Sequence, residues 1–578
     1  MSVFEILQLI LGISLFLFGM GVMSDALKSS VGKGLKGFLA KATSSKLKGF
    51  LLGTAVTAVI QSSSAVSVMV VGFVNSGAML LSQAVGVIMG ANVGTAVTSW
   101  ITALSGLEGG AALGSALAWF KPSVFMPVLA FIGIILYMAA KSENKKSIGV
   151  ILLGFSVLML GMDTMSDAVS GLSENEAFRS ILLKFENPFL GLLAGMVMTA
   201  IIQSSSASIG ILQSLTSTGA ITFGNAIPII MGQNIGTCIT ALIASVGTSK
   251  NAKRTSVIHL SFNVIGSLLG MIVLFVLRYA VKATFLSGEM DMWGIAAVHT
   301  VFNLLSFVVL FPMSSLLERI ACLLVRDGKE DAEPDPLDDR LLQTPTVAAM
   351  RAKDLTAKMG ELTSEALELS CGLLEKGYDP KIAARINKIE ETVDGYEDKI
   401  GSYFVKISAK NISDADSAEI GAYLHLLGDI ERICDHAQNL CESAKEIRDK
   451  GIELSEEART EITVLMTATR EIYTTALDKG ELDRIETLED VVDDLCFEIK
   501  RRNIDRLRKT CANTEQGFVL NDILTDLERI GDHSVNIGEC MAEIKFGGPL
   551  ALHNKLPNQE NAEAFAQLRS FFVEKYKI

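Results

Sequence analysis

TAVIQSSSA at residues 57–65 and TAIIQSSSA at residues 199–207 are near-copies set 142 positions apart. Two further pairs keep that register: GMGVMSD (19–25) with GMDTMSD (161–167), and IMGANVGTAVT (88–98) with IMGQNIGTCIT (230–240). One offset running through three motifs marks a duplicated unit. Each motif therefore has to be read as a pair.

The surroundings of the pair are apolar, and the rest of the chain is not. Of the 578 residues, 1–326 hold 19 Lys+Arg against 12 Asp+Glu, while the remaining 252 hold 32 against 52. With 49% hydrophobic residues and a mean hydropathy of +0.39, this reads as an integral membrane half followed by an acidic soluble half. A net charge of −13 without a dense Lys/Arg patch excludes nucleic acid as a partner. Eight cysteines with no CxxC pair argue against a zinc module or a disulfide framework, and suit a reducing, cytoplasmic setting for the soluble half. The first apolar segment opens on Glu5, unlike the basic start of a signal peptide, and is expected to stay as a span.

A span needs about 20 apolar residues. Residues 49–76 are long enough, but Gln61-Ser62-Ser63-Ser64 cuts them into two short pieces. The segment is either one span with a polar centre, in parallel repeats, or a re-entrant hairpin, in inverted ones. Loop charge favours inversion, because Lys and Arg gather in short cytoplasmic loops. Residues 28–48 carry six Lys and no acid, whereas the matching 170–187 carries three Glu, one Arg and one Lys. The next pair reverses the bias: 105–121 has one Glu and one Lys, and 247–255 has Lys250, Lys253 and Arg254.

The expected path is a span near 5–25, a basic inner loop, a hairpin near 49–76, and spans near 79–104 and 123–140. The second unit follows with a span near 148–168, a hairpin near 188–218 and a span near 220–246. Spans near 255–280 and 293–318 complete the membrane half. Trp100, Trp119 and Trp293 then fall near the outer interface.

Inverted repeats with interrupted helices are the architecture of alternating-access transporters, which bind substrate where half-helix ends meet. A helix N-terminus offers free N–H groups and about +0.5 of a charge, a ready anion site. Two opposed hairpins would set Ser62, Ser63 and Ser64 across from Ser204, Ser205 and Ser206, around a tetrahedral oxyanion. No Asp, Glu, Lys, Arg or His occurs in 49–107 or 187–249. An anion entering so neutral a site needs a co-bound cation to offset its desolvation. Hard oxygen ligands for Na+ recur in register: Gln61 and Gln203, Asn92 and Asn234, Thr57 and Thr199, Thr95 and Thr237. GANVGT and GQNIGT read as places where a span loosens. Ser, Thr and Gly also serve plain helix packing, but duplication beside Gln weighs against that reading. His259 and His299 have no partner at the repeat offset and read as packing or helix–helix contacts; Asp25 and Asp167, paired at span ends, read as capping or interfacial residues.

The paired QSSS runs, each followed by GxNxGT, resemble the type II sodium/phosphate cotransporters over roughly residues 5–318. The resemblance implies inorganic phosphate as substrate and Na+ as coupling ion, with the serines at phosphate and the Gln, Asn and Thr positions near Na+. Ala65 and Ala207 stand where animal members continue with Thr and Ser.

Residues 327–345 (DGKEDAEPDPLDDRLLQTP) read as an acidic linker. Amphipathic helices are expected near 346–376, 381–410, 414–449, 455–479, 481–511 and 515–544, forming two three-helix bundles. They too are duplicated: DIERICDHAQN (429–439) matches DLERIGDHSVN (526–536). Glu390/Asp394, Glu431/Asp435, Glu489/Asp493 and Glu528/Asp532 are each four apart, on one helix face. Converging carboxylates suit a multivalent cation, with His436, Asn439, His533 and Asn536 nearby; the plainer alternative is a solvated face paired with Arg432 and Arg529. This half resembles the phosphate-uptake regulator family PhoU over 346 to about 545, which implies a cytoplasmic regulatory or protein-contact module. The tail from 546 onward carries no signal.

The reading that results is an all-α, multi-pass plasma-membrane protein with inverted repeats and two re-entrant QSSS hairpins, followed by a PhoU-like domain. Its expected function is Na+-coupled phosphate symport, with no enzymatic activity. Membrane lipid surrounds the first half, and a second copy or a cytoplasmic protein is a candidate partner for the other. Phosphate export and a sensor acting through the soluble bundles are the alternatives.

Overall fold

The duplicated stretches fold into the same run of helices twice. In the first, α1 (Val3–Ala42) is followed by α2 (Lys46–Ile60), α3 (Ser63–Asn75), α4 (Leu81–Ala103) and α5 (Pro122–Ala139). In the second, α6 (Glu143–Ser170) is followed by α7 (Pro188–Ile202), α8 (Ser205–Leu215), α9 (Phe223–Ala244) and α10 (Lys250–Phe275). Helices α11 (Met292–Leu310) and α12 (Ser314–Leu324) come after both. The computed structural model describes residues 3–42, 45–109, 122–170, 184–326, 336–410, 412–478, 481–510, 514–546 and 559–578. Among them every regular element is helical, apart from one isolated bridge between Thr222 and Glu289. The chain divides into two compact units, Met1–Val347 and Ala348–Ile578.

Among the described residues, six helical segments of the first unit are long and apolar enough to cross a membrane: Val3–Leu27, Leu81–Gly106, Asn144–Ser170, Phe223–Ala244, Lys250–Ala280 and Met292–Leu310. Among lipid tails as apolar as Leu, close packing rather than hydrophobic burial joins helices, and small residues permit it. A Cβ at Gly90 would overlap the Phe50 carbonyl oxygen, and one at its copy Gly232 would overlap that of Leu192. The pairs α2/α4 and α7/α9 thus run in backbone contact, by the same device in both copies. Around α1 and α6, Phe16, Leu158, Met159, Met162 and Met165 are fully buried in one cluster.

Three parts of the membrane half differ from expectation. The basic stretch 28–42 continues α1 as helix, uninterrupted by Pro although Gly32, Gly34 and Gly37 lie within it. Helices α4 and α9 run unbroken through GANVGT and GQNIGT, whose glycines serve close approach and not loosening. The last span ends at Leu310, because Pro312 cannot continue the hydrogen-bond ladder, and α12 follows as a separate short helix. Trp100 and Trp293 lie together with ring centroids 5.7 Å apart, whereas Trp119 falls outside the described residues.

In the second unit α13 (Pro345–Lys376), α14 (Pro380–Ser408) and α15 (Asp414–Lys450) precede α16 (Glu456–Asp478), α17 (Leu482–Thr510) and α18 (Thr514–Phe546). Each lies within two residues of its expected bounds. The copied motifs face each other across α15 and α18 with reciprocal bonds. His436 Nδ1 is 2.9 Å from Asp526 Oδ1, and His533 Nδ1 is 2.9 Å from Asp429 Oδ1. The stretch read as a featureless tail contains α19 (Gln559–Lys575). It docks on the second bundle through Lys575 and Tyr576, both bonded to Glu471, and through Arg569 to Asp494.

Candidate functional site

Each QSSS run breaks its helix pair with the same backbone. Gln61 and Gln203 cap α2 and α7 in the left-handed region, at φ 60° and 58°, their N–H groups donating to Thr57 and Thr199 carbonyls at 2.8 and 2.7 Å. Only one other non-glycine among the described residues, Lys282, has a positive φ. That conformation costs about 1–3 kcal/mol and persists where the surroundings enforce it, as functional sites do. The next residue is extended: Ser62 accepts from the Ala65 N–H and Ser204 from the Ala207 N–H, both at 3.2 Å. A helix therefore restarts at each break with its N-terminus capped by serine.

Those two N-termini meet. Ser63 Oγ lies 3.5 Å from Ser205 Oγ, both side chains being buried. Two hydroxyls at that separation can both donate to one oxygen at about 2.7 Å from each. The helix ends add free N–H groups and two partial positive charges facing each other. An oxyanion placed between them could accept from both hydroxyls at once.

The polar neighbours follow the repeat in part. Thr57 sits against Gly94, and Thr199 against Gly236, each threonine Cβ being 2.8 Å from where a glycine Cβ would stand. Thr57 Oγ1, Thr199 Oγ1 and Asn234 Nδ2 are buried without a hydrogen-bond partner. Thr95 and Thr237 donate back to the Ala91 and Gln233 carbonyls at 3.0 and 2.9 Å, and Asn92 to the Ile88 carbonyl at 3.1 Å. Such back-bonds leave the hydroxyl oxygens free to accept or to ligate. The two glutamines differ: Gln61 is buried and accepts from Thr98 Oγ1 at 2.8 Å, whereas Gln203 is exposed.

In the second unit, Glu489, Asp493 and Asp532 bring carboxylate oxygens within 4.8 Å of one another. Burial, then Asp493, Asp490 and Asp532, push the Glu489 carboxyl up to about 7. Burial, then Glu528 and Asp532, raise Asp493. The first bundle repeats the pattern. Burial, then Asp435 and Glu397, push Glu431 up to about 7, and burial, then Asp435 and Asp394, raise Glu390. Part of the plainer reading also applies, since Lys500 pairs with Glu528 at 2.7 Å and Arg529 with Asp532 at 3.5 Å. The histidines and asparagines expected beside these acids are used elsewhere. Asn439 and Asn536 join His436 and His533 on Asp526 and Asp429 between the bundles.

The Na+/Pi-cotransporter family model matches residues 15–167 and 158–298, covering both serine breaks, and the PhoU domain model matches 356–444 and 460–541. The chain belongs to the Na+/Pi-cotransporter family. YjbB of Escherichia coli K12, a protein named for inorganic phosphate export, is 23% identical over 453 residues, 77% of this chain and 79% of YjbB. YqeW of Bacillus subtilis 168 is 30% identical over 314 residues, 54% of this chain and 95% of its own. The human sodium-dependent phosphate transport protein 2B is 37% identical over 124 residues, 20% of this chain and 18% of its own. No solved structure matches. The family is one of transporters and not an enzyme class.

Near its serine breaks the chain has polar residues that the repeat pattern concealed. Gln213, fully buried in α8, donates to the Ser99 and Met292 carbonyls at 2.9 and 3.1 Å and accepts from Thr102 Oγ1 at 2.5 Å. Ser99 Oγ lies 2.8 Å from His299 Nδ1, a helix–helix contact that joins His299 to this network. Gln233 donates to the Ser208 carbonyl at 2.9 Å. At the repeat offset, Gln213, Gln233 and Ser208 face Val71, Ala91 and Val66 in the first copy. That mismatch is the signal that would have found them.

Proposed function

We propose that this chain is a sodium-dependent inorganic phosphate symporter of a bacterial plasma membrane, working by alternating access. The observation that carries the reading is the 3.5 Å approach of Ser63 and Ser205 at two helix N-termini, in segments without a formal charge. Phosphate binds between the two breaks, accepting from Ser62, Ser63, Ser64 and from Ser204, Ser205, Ser206 and their helix N–H groups. Each break is the tip of a re-entrant hairpin, one entering from each side of the membrane. Na+ is held by oxygens of Gln61, Gln203, Asn92, Asn234, Thr57, Thr199, Thr95 and Thr237, offsetting the desolvation of the anion. The unpartnered Thr57 and Thr199 hydroxyls support this assignment. The bundles lie in the cytoplasm, where their acid clusters bind a multivalent cation and their surface meets a protein partner or second copy. Uptake of labelled phosphate into proteoliposomes tests the reading, with an inward gradient of Na+ or of choline. Rates at least about tenfold higher with Na+ are expected; equal rates refute the coupling.

Export is a second reading, favoured by YjbB, whose similarity runs through both halves of the chain. Phosphate leaving loaded vesicles of known orientation, against an inward Na+ gradient, would establish it.

A further inference from the structure

The acidic stretch after the last membrane helix does not hang free where it is described. Asp338, almost fully buried, pairs with Arg340 at 2.9 Å and accepts from Asn75 Nδ2, at the end of α3, at 2.7 Å. Asn75 Oδ1 in turn accepts from the Ser249 N–H, the N-cap of α10, at 2.8 Å. Arg340 donates to the Ala244 carbonyl and, at 3.1 Å, to that of Val246, closing the C-terminal end of α9. Leu341 is fully buried, with its Cδ2 3.1 Å from the position of a Gly72 Cβ, and Thr344 reaches Met69 Sδ at 3.5 Å. One short segment thus bonds the returning helix of the first break to the α9–α10 turn of the second copy.

That placement matters because α3 is a rigid rod. Its 13 residues span about 20 Å, with Ser63 at one end and Asn75 at the other. Holding Asn75 against Ser249 and Asp338 fixes where Ser63 stands relative to the second copy. Any cycle that moves one copy against the other must break the Asn75 bond to Ser249, and either the Asn75–Asp338 bond or the Arg340 bonds to the Ala244 and Val246 carbonyls. We propose that residues 336–344 form a latch that locks the two copies together and has to release once per transport cycle. The chain passes from Thr344 straight into α13, so force on that helix acts on the latch. This proposal rests on the transport reading above.

The latch can be locked chemically. An ideal Cβ at Gly72 lies 3.4 Å from the Cβ of Arg340, close to the roughly 3.5–4.5 Å that a disulfide requires. Gly72→Cys/Arg340→Cys is made in the full chain with the exposed Cys322 replaced by Ser, and labelled-phosphate counterflow is measured in proteoliposomes. Oxidation is expected to form the bond and stop counterflow, with reduction restoring it. Equal rates in both states, or no bond under oxidation, overturn the latch. Leu341→Ala and Arg340→Gln, which loosen it without a cross-link, should raise the counterflow rate at least about fivefold. Unchanged or lower rates count against it. A second readout needs no transport: labelling of Gly72→Cys by a charged maleimide in detergent. Arg340→Gln should speed that labelling at least about tenfold. An unchanged labelling rate refutes the latch, whereas wild-type protein without counterflow refutes only the transport reading.

Discussion

The two serine breaks share a backbone and differ in what surrounds it. Gln61 and Gln203 adopt the same left-handed cap, and Ser62 and Ser204 the same N-cap. Around the first break the glutamine is buried on Thr98; around the second it is exposed, and Gln213, Gln233 and Ser208 stand where the first copy has Val71, Ala91 and Val66. Duplication therefore preserves the geometry that presents two helix ends to each other, and lets the enclosing shell diverge. A substrate that sits between the ends uses what is common. On the proposed reading, the coupling ion meets two unequal halves.

The largest effects should follow from breaking what is common. Gly90→Leu or Gly232→Leu drives a side chain into the Phe50 or Leu192 backbone, and both should abolish monodisperse protein on size exclusion. A well-folded variant of either would show that backbone contact is dispensable. Next, Ser63→Ala and Ser205→Ala should each raise the KM for phosphate at least about tenfold at saturating Na+, each having lost a hydrogen bond to a charged ligand. Unequal shifts would break the equivalence of the two ends.

Smaller effects should separate the halves. Gln61→Ala, which strips Thr98 of its partner, should weaken the apparent Na+ affinity more than Gln203→Ala does, by about threefold or more. At the same position Gly should melt higher than Ala by an amount worth about 1 kcal/mol, because Ala carries the αL cost and Gly does not. A reversed order would place the strain elsewhere. The smallest effect lies in the bundles. Glu431 and Glu489 are raised from 4.5 to about 7, so the folded protein holds protons that the unfolded chain releases. Their contribution is present below about pH 4.5 and is lost as pH rises towards 7. Thermal melts of the bundle transition should fall between pH 6 and 8, and Mn2+ should restore the loss at pH 8. Glu489→Gln should reduce both responses.

Much of this was legible in the sequence, for reasons that also mark where legibility stopped. Period and punctuation located the six bundle helices, and Gln-Ser-Ser-Ser located the breaks, since polar residues in an apolar run have few other uses. Glycine was ambiguous: in GANVGT the same residue type serves a loosened helix or a close approach, and only the neighbour, Phe50 or Leu192, decides. Charge misleads in the same way. The lysines of 28–42 suggest a loop although the backbone stays helical, and Asp338 and Arg340 fall in the acidic linker although Asp338 is buried on Asn75 and Arg340 closes the end of α9. Long-range partners left no local trace, as with His436 and Asp526, 90 positions apart.

The most direct measurement is counterflow of labelled phosphate in proteoliposomes, with Na+ or choline, for wild type and for Ser63→Ala/Ser205→Ala. Phosphate held between the two breaks predicts Na+-dependent counterflow in the wild type and its loss in the double variant, with both proteins eluting alike. Counterflow of equal rate and equal phosphate KM in the two proteins would contradict it.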